Sequence, residues 1–135
     1  MKHRKANPGR LAFTLIELLV VVVILAILMA VALPLYLGAV ADSERSVCRA
    51  NMQSISDAEQ AYRVRNPVHT FTTDLSNLTL DLGTLPICPR QGSYSTAISN
   101  GAELANNGMI VPSGGIVVKC SASGHGVFAP SIDGE

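Results

Sequence analysis

The chain has no acid in its first twelve residues and no polar side chain anywhere between Leu18 and Leu33. It also lacks a paired C-x-x-C, a Ser-His-Asp or Cys-His set at informative spacing, and a phosphate-cradling glycine loop or other nucleotide motif. Without those groups neither nucleophilic catalysis nor nucleotide chemistry has a carrier, so the chain reads as a non-enzyme that needs no cofactor. Lys and Arg number ten and so do Asp and Glu, but the balance is uneven: Lys2, Arg4, Lys5 and Arg10 all stand in the acid-free leader. From Phe13 onward six bases face ten acids, a net of minus four. A phosphate backbone asks for a basic patch, so an acidic exposed domain makes nucleic acid an unlikely partner.

What is present is a long apolar segment. Residues 13–41 carry a single charge, Glu17, and Leu18 to Leu33 are sixteen consecutive apolar residues. A secretory h-region is about 7 to 15 residues and ends at a small-residue cleavage site, whereas a membrane span needs about 20. The segment therefore reads as a spanning helix. Its basic leader places the N-terminus in the cytoplasm and the rest of the chain outside. Glu17 fits neither description, because a carboxylate in hydrocarbon costs about 3 kcal/mol even on lenient insertion scales.

Ala12, Phe13, Thr14, Leu15, Ile16 and Glu17, preceded by a short basic leader and followed by the apolar run, resemble the processing motif of type IV prepilins and type II secretion pseudopilins. The family usually has glycine where this chain has Ala12, and it usually has a proline and a tyrosine where Pro34 and Tyr36 fall. The resemblance implies cleavage between Ala12 and Phe13 by a prepilin peptidase and N-methylation of the new Phe13 amine. It implies insertion as a single-pass protein of the inner (cytoplasmic) membrane, then assembly by inner-membrane machinery with identical or related subunits into an extracytoplasmic filament, a type IV pilus or a secretion pseudopilus. Within that filament it implies that Glu17 pairs with the Phe13 amine of a neighbouring subunit, two groups costly to bury alone and tolerable together. The reading that stands against it is a monomeric single-span membrane protein presenting a small extracytoplasmic binding domain.

Beyond the membrane segment the helix continues. Cys48, Met52, Ile55, Ala58 and Tyr62 form one apolar stripe, while Asp42, Glu44, Arg45, Arg49, Asp57, Glu59, Arg63 and Arg65 take other faces, with Glu59 and Arg63 at the favourable i, i+4 spacing. Asn66-Pro67 ends it. Pro34 removes one backbone hydrogen bond, so a kink or local unwinding is expected near Ala30 to Leu35, either as a flexible point in assembly or as a proline that a membrane helix tolerates. Val68 to Leu85 read as a loop with one short helical turn near Asp74 to Leu78, capped by Thr73 or Asp74. Ser93 to Ile98, Met109 to Val111 and Gly115 to Cys120 read as short strands between Asn-Gly, Pro and Gly-Gly turns, and Gly124 to Glu135 as an irregular tail. The division is a leader at 1–12, a transmembrane and assembly helix at 13–41, its amphipathic continuation at 42–66, and a loop with a small β domain at 67–135. The fold class is α+β and pilin-like: a long N-terminal helix packed on a small antiparallel sheet of three or four strands. Roughly 95 residues remain to build the exported domain, a small core.

Three cysteines, Cys48, Cys88 and Cys120, fall in the part expected outside the cytoplasm, where disulfides persist. The pieces I-C-P-R-Q-G-S-Y (87–94) and V-K-C-S-A-S-G-H-G (118–126) look like the strand entry and later strand exit of some pilin-like families. On that likeness antiparallel strands bring Cys88 and Cys120 together as a disulfide. Closing its loop of 33 residues contributes about 3 to 4 kcal/mol in the chain-entropy picture. Cys48 reads as core packing, with an intermolecular disulfide as the alternative. Cys88, Cys120 and His125 are three soft donors, one short of a closed metal set, and Asp133, Ser131 and the carbonyls near Gly134 make a thin calcium site; neither is assigned. His69 and His125 read as solvated loop residues.

Overall fold

The computed structural model describes residues 13–133. Ala12, the four leader cations and Gly134 lie outside the described residues. Seven elements follow in order: helix α1 (Leu15–Arg65), a 3-10 turn (Leu75–Leu78), α2 (Thr79–Leu82), β1 (Tyr94–Ile98), β2 (Ile116–Cys120), β3 (Val127–Phe128) and α3 (Pro130–Asp133). They divide into two compact units, the first ending at Ala39 and the second beginning at Val40.

Helix α1 starts where its sequence supplies a cap. The Glu17 amide donates to Thr14 Oγ1 at 3.3 Å, and the Thr14 hydroxyl lies 3.5 Å from Glu17 Oε2, so Thr14 caps the helix start. In the first unit every described side chain is exposed, from Phe13 at 77% to the valines at 20–23. Among the described residues nothing covers them, and this part of α1 is long and apolar enough to cross a membrane. Helical structure runs through Pro34 without a break. The local unwinding expected at Ala30 to Leu35 is therefore absent: the proline costs one ladder hydrogen bond, and the helical residues on both sides hold the geometry.

In the second unit α1 buries the stripe that its spacing announces. Cys48, Met52, Ile55 and Ala58 are buried, and Tyr62 is partly buried against Leu78, Cys88, Val118 and Phe128. The three strands run in the order β1-β2-β3, both pairs antiparallel, with Thr96 opposite Val118 and Val118 opposite Phe128. The central strand β2 is covered on both faces. Val118 joins the helix-side core, while Val117 packs with Ala105, Val111 and Ala129 in a second cluster. Burying a side chain of this size contributes about 1.5 to 3 kcal/mol, so the helix stripe and β2 carry much of what holds this small unit together.

Several expectations are corrected here. The tail is not irregular from Gly124 on, since Val127–Phe128 forms β3 and Pro130–Asp133 a helical turn. The strand expected at Met109 to Val111 reduces to a single bridge, Leu104 to Ile110, because it meets only a short arm rather than the sheet. Glu59 is fully buried, not on an outer face. Among the described residues it makes no ion pair with Arg63. Its Oε2 accepts the Thr72 amide at 3.0 Å, while Arg63 Nε donates to the His69 carbonyl at 3.1 Å. The physical reason is loop anchorage: the chain leaving α1 turns back over the helix and takes Glu59 as its acceptor. Burial pushes the Glu59 carboxyl up from its ordinary value despite the hydrogen bond from the Thr72 amide. His69 is exposed with a positive φ of 55°.

The segment after the helix is tied at several points. Asp74 caps the 3-10 turn by accepting from the Ser76 amide at 3.0 Å, one of the two caps expected. Arg65 forks onto Asp81 through two bonds of 2.8 and 2.9 Å, which draws the Asp81 carboxyl below its ordinary value.

Candidate functional site

Two groups of residues carry chemistry. The first is the start of α1. Phe13, exposed, is followed at once by the Thr14 cap, and Glu17 stands exposed in the first turn, where a carboxylate favours the helix N-terminus. Glu17 thus has a local partner in the single chain, the Thr14 hydroxyl that accepts its amide. The pattern S/T-x-x-E announces such a cap in the sequence, although the reading above does not use it.

The second lies inside the other unit. Cys48 on α1, Cys88 in the loop before β1, Cys120 at the end of β2 and His125 in the turn between β2 and β3 converge so that their donor atoms all lie within 4.8 Å of one another. Cys88 Sγ is 3.4 Å from His125 Nδ1 and 3.6 Å from Cys120 Sγ, and Cys120 Sγ is 3.9 Å from His125 Nδ1. All three cysteines are free thiols. The expected pair Cys88 and Cys120 does meet, yet it meets in company. Cys48 and Cys88 are buried, Cys120 is half-buried, and His125 is only 8% exposed, not solvated as its glycine-rich surroundings suggest. His125 is drawn in because its amide donates to the Ala122 carbonyl at 3.2 Å, which folds the turn back and aims Nδ1 at the sulfurs; Nε2 is buried without a hydrogen-bond partner.

Each sulfur sits in a distinct setting. Tyr94 donates its hydroxyl to Cys48 Sγ at 3.4 Å, and Asn51 Nδ2 holds that hydroxyl at 3.1 Å while also reaching the Ile87 carbonyl. Burial nonetheless pushes the Cys48 thiol up to about 12. At Cys88 burial also pushes upward, but the backbone amides of Arg90 and Gly92 and the neighbouring thiols outweigh it, and the net shift is down. The turn that aims those amides needs Gln91 at a positive φ of 58° and needs Gly92 bare. A Cβ on Gly92 would stand 2.8 Å from Ala122 and 2.9 Å from Cys120 Sγ. Three thiols and an imidazole at this spacing are soft donors able to hold a metal ion. Asp133, the candidate calcium ligand, is otherwise engaged: its carboxylate accepts the Ala129 amide at 2.9 Å and faces Arg49 at 3.6 Å.

The helix stripe laid on an antiparallel sheet, with an uncovered apolar run at the helix start, defines a pilin-like α+β protein. Comparison with known proteins agrees. Residues 8–33 match the family described as "Prokaryotic N-terminal methylation motif". The chain is 36% identical over 62 residues to the type IV major pilin protein PilA of Myxococcus xanthus (strain DK1622), a match covering 46% of this chain and 28% of that protein. No solved structure matches the chain. The family match is confined to residues 8–33, and the similarity to a type IV pilin extends over less than half of the chain.

Proposed function

We propose that the chain is a structural subunit of a type IV pilus. A prepilin peptidase cleaves between Ala12 and Phe13, the Phe13 amine is methylated, and the membrane-held subunit is taken up by inner-membrane machinery into a filament of like subunits. The observation that carries this reading is the coincidence of the methylation motif at 8–33 with a helix whose apolar side chains stay exposed among the described residues. Such a surface is satisfied in lipid before assembly and by neighbouring helices afterwards. The likeness to a type IV major pilin favours a pilus over a secretion pseudopilus.

Glu17 has a particular part in this scheme. Cleavage leaves a cationic amine on Phe13, one residue before the Thr14 cap, at the end of the helix whose dipole already favours negative charge. A neighbour's Glu17 supplies that charge, and an unpaired Glu17 penalises wrong registers. Pro34 leaves the Ala30 carbonyl without its ladder donor, a weak point at which the helix changes shape between bilayer and filament. Expression of the full chain beside a prepilin peptidase tests the proposal by mass spectrometry and electron microscopy. The expected product starts at a methylated Phe13 and forms filaments, whereas Glu17→Ala is processed and inserted but does not assemble. An intact leader with a monomeric protein supports the single-span membrane reading instead.

A further inference from the structure

We propose that Cys48, Cys88, Cys120 and His125 form a closed, tetrahedral Cys3His site for a zinc ion that fastens α1 to the sheet of the exported domain. The proposal does not depend on filament assembly. It begins from distance. Zinc bonds of about 2.3 Å to sulfur and 2.0 to 2.1 Å to nitrogen place neighbouring ligands of a tetrahedron about 3.8 Å apart for sulfur pairs and about 3.6 Å apart for sulfur and nitrogen. The observed separations are 3.6 Å between Cys88 and Cys120 and 3.4 and 3.9 Å from these sulfurs to His125 Nδ1, with Cys48 within 4.8 Å of all. The four donors already stand near the corners of one coordination shell.

A Cys88–Cys120 disulfide, the competing use of these sulfurs, accounts for two of the four groups. It gives no reason for Cys48 and the His125 ring nitrogen to be buried against the same pair. The surrounding donors also fit thiolate ligands better than a disulfide. Tyr94, itself held by Asn51, aims its hydroxyl at Cys48. Hydrogen bonds to ligating sulfurs of this sort orient and stabilise them. Bare Gly92 keeps backbone close to Cys120 without displacing its sulfur. The ligands come from α1, a loop, the end of β2 and a turn, and all are buried or half-buried, so no open position is left for a substrate. That is a structural site, not a catalytic one. A unit of this size, with a small core, is where a metal clamp adds most. On binding, each of the three thiols gives its proton to solvent, and affinity therefore rises with pH.

The test uses the full chain in detergent, reduced and then offered one equivalent of Zn2+ or Co2+. The expected result is one zinc per chain after desalting, measured by elemental analysis, and with Co2+ the intense visible bands of a tetrahedral thiolate complex. Cys48→Ser is the deciding variant, since the disulfide alternative does not involve Cys48. It is expected to weaken zinc binding at least a hundredfold, more than loss of a supporting hydrogen bond does. His125→Gln is expected to do the same, and serves if Cys48→Ser fails to fold. Tyr94→Phe is expected to cost about tenfold while leaving the cobalt spectrum tetrahedral. A protein that takes up no zinc, or binds it equally well in both ligand variants, overturns the proposal. So does exported protein, purified without reductant, that is two mass units light with Cys88 and Cys120 in one cross-linked peptide.

Discussion

The two stretches of α1, Leu15 to Ala39 and Val40 to Arg65, share one backbone geometry and differ in what their side chains meet. The earlier stretch is apolar on every face and covered on none; the later one is apolar on a single stripe, and that stripe is buried. An all-round apolar helix has its solvent supplied from outside the chain, by lipid or by other subunits, whereas an amphipathic one has its partner in its own sequence. The difference teaches that substitutions in the two stretches are read by different assays, monomer stability for one and assembly for the other.

The sharpest way to break that comparison is at Ile55, fully buried between helix and sheet. Ile55→Ala is expected to destabilise the second unit by about 2 to 5 kcal/mol in denaturant unfolding. Gly92→Ala comes next, at about 1 to 3 kcal/mol, because its new methyl meets backbone and the Cys120 sulfur at under 3 Å. It should also weaken zinc binding, which separates it from a simple packing defect. Glu59→Gln goes the other way. Because burial raises the folded-state pKa of Glu59, the folded protein holds that proton more tightly than the unfolded chain. Stability from this group is present in acid and falls as pH rises from the ordinary carboxylate range through the raised value. Gln keeps the acceptor for Thr72 and carries no charge, so the variant is expected to gain about 1 kcal/mol near neutrality and to flatten that pH dependence. Smallest of all is Leu25→Ala in the uncovered stretch, expected to change monomer stability by under about 0.5 kcal/mol. A large loss there would mean that the stretch has a partner within its own chain and would erase the contrast.

Legibility in the sequence follows the same divide. The helix and its buried stripe were readable because both depend on neighbours three or four residues apart, and its end because Asn66-Pro67 stops it, whereas the Thr14 cap at its start went unread. The two longer strands and the Asp74 cap were legible for like reasons. What escaped depends on the path of the chain through space. Glu59 shares a spacing with Arg63 that fits an exposed pair, and only the return of Thr72 makes it a buried acceptor. His125 sits between glycines as a turn residue does, and only the fold of that turn onto β2 buries it. Cys48 reads as packing until Cys88, Cys120 and His125 arrive beside it from distant parts of the chain. Cys120 and His125, five residues apart, were the local hint of a ligand pair, and two donors alone do not make a site.

The Arg65–Asp81 fork bears on how this protein meets a protease. The segment that follows the helix would by composition be the natural place to nick the second unit. It is instead held at Thr72 by Glu59, at Asp74 by its own cap, and at Asp81 by two charge-assisted bonds. Cleavage needs a stretch of backbone free to enter an active site, and between Thr72 and Asp81 every few residues are fastened. A stretch fastened in this way resists cutting until those ties open, so its cleavage reports their local unfolding.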